Sequence, residues 1–271
     1  MKTNKTVPYK VLSIAGSDPS GGAGIQADIK AVSALGGYAA TAITALTIQN
    51  TMGVKSVFAA PASVVVEQIE AVMEDICPQS IKIGMVKDAC IVAAIAGSIR
   101  KYRPQYIVYD PVMVATSGDR LIDDDIIEII ESELMPLATL ITPNMAEAEV
   151  LWRKKIVDLD DMEQAAVDLS GKYNINVLVK GGHLKGKGMC DVLCCRDNGR
   201  IVRFTEKRIE TRNLHGTGCT LSSSIATLLA KGLDLENAVC EAKKYVTKAI
   251  EAGSFMEIGH GNGPLWHNVV L

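Results

Sequence analysis

Short apolar strand patterns alternate with helical patterns along nearly the whole chain, and this alternation limits the fold more than any other feature. Residues 9–15 form an almost continuous apolar run, as a strand buried on both faces requires. Ile25, Ile29, Val32 and Leu35 then recur at helical spacing and stop at Gly36-Gly37. Further strands are expected over 38–46, 54–59, 80–83, 106–109, 137–142 and 176–179. Helices are expected after Pro61 and over 88–102, 123–134, 144–152, 160–173, 217–231 and 235–252. Such alternation predicts an α/β fold with a mainly parallel central sheet and helices on both faces. The segments 190–195 and 200–204 flank Asp197-Asn198-Gly199, the signal of a hairpin, which would extend one edge of the sheet. No linker, charge run or repeat divides the sequence, so a single domain is expected over residues 1–271.

Composition excludes several classes of function. Lys and Arg number 28 against 31 Asp and Glu, a net charge of -3, which gives no basic excess for a nucleic-acid partner. Aromatic residues make up 4%, too few for base-stacking platforms. The 7 cysteines include no C-x-x-C pair, a pattern of a reducing cytosol rather than a disulfide or zinc framework. The apolar run after the basic N-terminus is too short for a signal peptide, and no stretch reaches the roughly 20 apolar residues that span a bilayer. The expectation is therefore a cytoplasmic protein without a membrane partner.

In open α/β sheets ligands bind beyond the C-terminal ends of the strands. Polar residues gather at those ends: Ser17 and Asp18, Gln49 in a loop, Asp110, Thr142 to Asn144, Lys180, and the turn Gly216-Thr217-Gly218-Cys219. Each has a plain alternative. Asp18 before Pro19 reads as a turn residue, and Asp28 lies off the apolar face of its helix, as a solvated residue would. Asp110 closes an apolar strand and must reach water or a cation. Asn144 and Glu147, at i and i+3, either cap a helix or hold a hydrated magnesium ion. Lys180 either meets a phosphate or snorkels to the surface. At the start of a helix, Gly216 to Gly218 can cradle an anion. Cys219 is there either a small buried residue or a thiol that loses its proton more easily. The four histidines show no ligand spacing. P-loop and dinucleotide motifs are missing, so phosphate binding rests on the late glycine turn.

Taken together, these segments resemble the ribokinase-like vitamin kinases. The match is closest to the bacterial hydroxymethylpyrimidine/phosphomethylpyrimidine kinases of thiamine biosynthesis. It is carried by residues 15–28 (AGSDPSGGAGIQAD), 45–51 (ALTIQNT), 82–85 (KIGM), 110–113 (DPVM) and 142–144 (TPN) with Glu147. Residues 180–183 (KGGH) and 215–220 (HGTGCT) complete it. The resemblance implies ATP-dependent phosphorylation of 4-amino-5-hydroxymethyl-2-methylpyrimidine and of its monophosphate, with ATP and Mg2+ as cofactors. It implies a substrate pocket at Gly16, Asp28, Gln49, Met85 and Val112. Nucleotide phosphates would meet Asp110, Asn144, Lys180, Gly216, Thr217 and Gly218, with Mg2+ at Asp110 and Glu147 and Cys219 as catalytic base. A homodimer is also implied. One departure stands out: Thr116 occupies a position where the family commonly has lysine, which puts the second phosphorylation in question. Alternatives are a pyridoxal or pyridoxine kinase on the same scaffold and a non-catalytic pyrimidine-binding sensor.

Overall fold

The structure is a computed structural model and describes residues 8–113, 123–182 and 188–269. Its centre is one nine-stranded sheet. In chain order the strands are β1 (Tyr9–Ser17), β2 (Gly37–Asn50), β3 (Gly53–Ala59), β4 (Ser80–Ile83) and β5 (Tyr106–Tyr109), then β6 (Leu140–Ile141), β7 (Asn176–Val179), β8 (Gly188–Cys194) and β9 (Ile201–Lys207). Across the sheet they run β3-β2-β1-β4-β5-β6-β7-β8-β9. The six strands from β2 to β7 in that order are parallel, and antiparallel strands finish both edges.

Helices α1 (Gly24–Ala34), α7 (Thr217–Ala230) and α8 (Leu235–Gly253) cover one face, where Val32, Ile225 and Val239 share a core with Val11, Val108 and Leu178. Helices α2 (Ala62–Asp75), α3 (Ala89–Tyr102), α4 (Asp124–Glu133), α5 (Met145–Trp152) and α6 (Leu159–Tyr173) cover the other. There Ile69, Ile95, Ile127 and Leu169 meet Leu12, Ile14 and Ile83. Successive residues of one strand thus feed opposite cores, as a pleated strand with two covered faces must do.

The chain leaves β1 towards one edge and later returns to pair β4 on the other side of β1. That reversal opens a crevice at the C-terminal ends of β1 and β4. A register shift between Ala15 and Ser17 ends the regular β1–β2 pairing at that point.

Two expectations need correction. Gln49, expected in a loop, lies in β2, which continues to Asn50 and turns back into β3 as a hairpin, pairing Asn50 with Gly53. Backbone pairing with β3 holds Gln49 in a strand although its side chain is polar. The strand expected over 137–142 shrinks to Leu140–Ile141, because Met135–Leu137 forms a 3-10 turn. The hairpin around Gly199 lies at the sheet edge as expected, with Gly199 in the left-handed region.

Candidate active site

Two glycine-rich segments from distant parts of the chain lie against each other. Gly216, at φ 86, packs so close to Gly22 that a Cβ there would collide with the Gly22 carbonyl. This left-handed glycine delivers the chain into α7, whose first N–H groups have no partner within the helix. A Cβ on Gly218 would lie 3.2 Å from Lys180 Nζ and 3.3 Å from Asp110 Oδ2. The helix start, a cation and a carboxylate thus converge on one small space.

Lys180 Nζ donates to Asp110 Oδ1 at 2.7 Å, and the Thr142 hydroxyl donates to the same oxygen at 3.0 Å. Burial alone would raise Asp110, but Lys180 and then Lys82 outweigh it and hold the carboxyl below its ordinary range. Glu147 is also buried, and burial pushes it up to about 7, with Lys180 opposing and the Asp110 charge adding to the rise. Both Glu147 oxygens accept backbone N–H groups, from Asn144 at 2.8 Å and Met113 at 3.4 Å. Asn144 returns a bond from its side chain to Glu147 N, so the pair forms a complete capping box for α5.

Two neighbouring carboxylates with spare lone pairs suit a hydrated divalent cation that takes one or two protein oxygens and fills its shell with water and phosphate. Among the described residues no three His, Cys, Asp or Glu side chains converge as a metal cage. Asp110 and Glu147 are donors of the type that fits a hydrated Mg2+ ion.

Asp28 departs from the solvated position its helix face suggested. It is wholly buried, and its carboxylate accepts from Lys82 Nζ (2.8 and 2.9 Å), Ser13 Oγ (2.5 Å) and Ser223 Oγ (2.6 Å). Ser223 lies one turn of α7 beyond Cys219, so this buried pair sits under the cysteine. Nor does Cys219 lose its proton more easily. Burial pushes the thiol up to about 11; Lys82 and the Gly24 N–H oppose that rise, while Asp28 and Asp110 add to it. The partial charge of the helix start does not compensate for the solvation the thiolate loses.

The remaining sequence candidates line the crevice. A Cβ on Gly16 would stand 2.9 Å from Met85 Cε, so the glycine makes room for that methionine. Thr44 Oγ1 holds the Met85 carbonyl at 2.9 Å. Val112 follows β5, its N–H bonded to the Asp110 carbonyl at 2.9 Å. On β2, the Gln49 side chain reaches His215, and His215 reaches Asp18. Thr116 and His183 lie outside the described residues.

Three residues of this site were not legible as such. Lys82 is a charge inside a four-residue strand with every residue buried, and that is the signal that could have found it. Asp18 reads as a turn residue and His215 as one of four histidines without ligand spacing, and nothing local in the sequence joins them.

The family model for phosphomethylpyrimidine kinase matches residues 18–266. A hydroxymethylpyrimidine/phosphomethylpyrimidine kinase of Rhizobium meliloti is 49% identical over 260 residues, covering 94% of this chain and 96% of that protein. A crystal structure of phosphomethylpyrimidine kinase from Clostridium difficile superposes with a TM-score of 0.79 at 42% identity, covering 89% of this chain and 99% of the other. The ADP complex of Bacillus subtilis pyridoxal kinase gives a TM-score of 0.89 at 32% identity, covering 96% and 98%. The fold is the ribokinase-like one of these kinases. The chain belongs to the phosphomethylpyrimidine kinase family.

Proposed function

We propose that the protein transfers the γ-phosphoryl group of ATP to the hydroxymethyl oxygen of 4-amino-5-hydroxymethyl-2-methylpyrimidine, and then phosphorylates that monophosphate to the diphosphate, in thiamine biosynthesis. The observation that carries this reading is the convergence of Lys180 and Asp110 on Gly218 at the start of α7. Phosphoryl transfer passes through a loose transition state with charge spread over the phosphoryl oxygens, so catalysis rests on positioning and electrostatics. The Gly218 N–H and the Lys180 ammonium meet that charge, while the Thr217 N–H donates to the Leu214 carbonyl at 3.2 Å. Mg2+, held by Asp110 and Glu147 with Asn144 alongside, would neutralise phosphate charge. Gly16, Gln49, Met85 and Val112 form the pyrimidine pocket, with Asp28 fixed beneath it by Lys82. In its thiolate form, the minor one for a thiol pushed up to about 11, Cys219 accepts the alcohol proton late in the transfer and is left as the neutral thiol.

The test is ADP release with ATP, Mg2+ and either the pyrimidine alcohol or its monophosphate. Turnover of both supports the reading; ADP release with neither overturns it. The likeness to a pyridoxal kinase favours one rival, so pyridoxine belongs in the same assay. A kcat/KM for pyridoxine above that for the pyrimidine would make the rival the better reading. A homodimer also belongs to this proposal. Leu46 and Ile48 on β2 and Phe58 on β3 expose an apolar sheet face of the kind that pairing of two copies would cover. A monomeric mass by light scattering at micromolar concentration would remove that part.

A further inference from the structure

Asp18, 3% exposed, accepts five hydrogen bonds. Ser20 N (2.9 Å) and Ser20 Oγ (2.7 Å) donate to one oxygen. Gly22 N (3.2 Å), Ala23 N (2.8 Å) and His215 Nε2 (2.8 Å) share the other. Burial would raise this carboxyl, but the bonds from His215, Ser20 and Ala23 outweigh it and hold the group well below the usual carboxylate range. Asp18 is therefore an acceptor only, and His215 Nε2 carries a proton.

That proton decides what else the imidazole can meet. The Gln49 Nε2 atom lies 3.2 Å from His215 Nε2, which as it stands places two N–H groups against each other. A half-turn of the amide exchanges two groups of nearly equal size and brings Oε1 beside the single Nε2–H, which Asp18 at 2.8 Å and Gln49 at 3.2 Å then share as two acceptors. The geometry around both residues is built for this contact. A register shift between Ile48 and Gln49 interrupts the regular pairing with β3 just before Gln49, which pairs with Val54. On the other side, Gly22 leaves space that a Cβ would take from the His215 ring.

We infer that His215, anchored by Asp18, is a positioning residue that fixes the Gln49 amide with its oxygen on the imidazole and its NH2 towards the substrate. Gln49 then offers a hydrogen-bond donor and recognises an unprotonated ring nitrogen, not the exocyclic amine. The inference rests on the reading that Gln49 lines the pyrimidine pocket.

Isothermal titration of the pyrimidine alcohol and of its analogue lacking the amino group tests this on wild type, His215→Leu, His215→Gln, Gln49→Met and the double variant His215→Leu/Gln49→Met. Loss of one neutral hydrogen bond predicts about tenfold weaker binding of the alcohol by His215→Leu and by Gln49→Met. The double variant should be no weaker than Gln49→Met within about twofold, because His215 acts through Gln49. His215→Gln, which retains an N–H donor, should recover most of the loss. Removing the amino group should weaken binding to wild type and to Gln49→Met by the same factor. Multiplying losses in the double variant would show a merely structural role and overturn the inference. So would an amino group worth tenfold more to wild type than to Gln49→Met. If wild type shows this binding pattern but releases no ADP, the kinase reading falls and the inference stands; if wild type does not bind the pyrimidine, both fall.

Discussion

Lys82 Nζ stands 2.8 and 2.9 Å from the two carboxylate oxygens of Asp28, in an ion pair that solvent does not reach. Burial by itself would lower the lysine, but Asp28 outweighs it and holds the ammonium charged. A pair of this kind adds little net stability, because desolvation of both ions cancels most of their attraction. Breaking it is another matter. Lys82→Met leaves the Asp28 charge buried with only two hydroxyls and should cost about 3–5 kcal/mol. Lys82→Met/Asp28→Asn removes both charges and should lose less than the single variant. Urea midpoints at constant m-value check this; a double variant less stable than Lys82→Met would refute it.

Cys219 should alkylate slowly at neutral pH. With the thiol near 11, its rate with iodoacetamide should climb about tenfold per pH unit from 8 towards 11, whereas an ordinary thiol levels off near 8.5. Mass spectrometry of the Cys219 peptide separates it from the other six cysteines. A plateau below pH 9 would contradict the burial argument. In the same protein, Cys219→Ala should lower kcat at least about a hundredfold with the KM for ATP nearly unchanged, in the range a general base contributes. Near-normal kcat would remove the base role.

Local patterns revealed the strand-end chemistry, because a polar residue closing an apolar run stands out: Asp110 after β5, Lys180 after β7, and the glycine turn before α7. Contacts between distant segments stayed hidden. Asp18 satisfies Ser20, Gly22 and Ala23 as a turn residue should, yet it also holds His215, 197 residues away. Asp28 looked solvated because its apolar neighbours defined another face of α1, while its partner Lys82 looked like part of an ordinary strand. The polar Thr47 and Gln49 disguised the end of β2, whose length comes from pairing with β3.

His267 gives a pH signature of its own. Burial and then the Lys30 charge lower it from 6.5 to about 4, and its Nε2 meets the Thr220 hydroxyl at 2.8 Å. The folded imidazole is thus neutral at a pH where the unfolded chain's imidazole takes a proton. Stability should be unaffected above about 6.5 and fall as the pH drops from 6.5 to 4, by up to about 3 kcal/mol. Glu147, raised towards 7, works in the opposite direction over part of that window. The measurement is therefore the difference in unfolding free energy between wild type and His267→Asn. A difference that does not change with pH between 7 and 4 would refute the assignment.

Glu147 caps α5 and, in the proposed mechanism, also holds Mg2+, and one substitution separates the two roles. Glutamine at this third helical position can still accept the Asn144 N–H, so Glu147→Gln keeps the capping box but removes the charge. It also removes repulsion from Asp110 but sets an NH2 against the Met113 N–H, so stability should stay within about 1 kcal/mol of wild type. A carboxylate that holds magnesium directly or through its waters cannot be replaced so easily. The Mg2+ concentration for half-maximal ADP release should rise about tenfold or more, with pyrimidine binding unchanged. If Glu147→Gln shows an unaltered Mg2+ requirement, Glu147 serves the helix alone and the metal site reduces to Asp110 and the nucleotide phosphates.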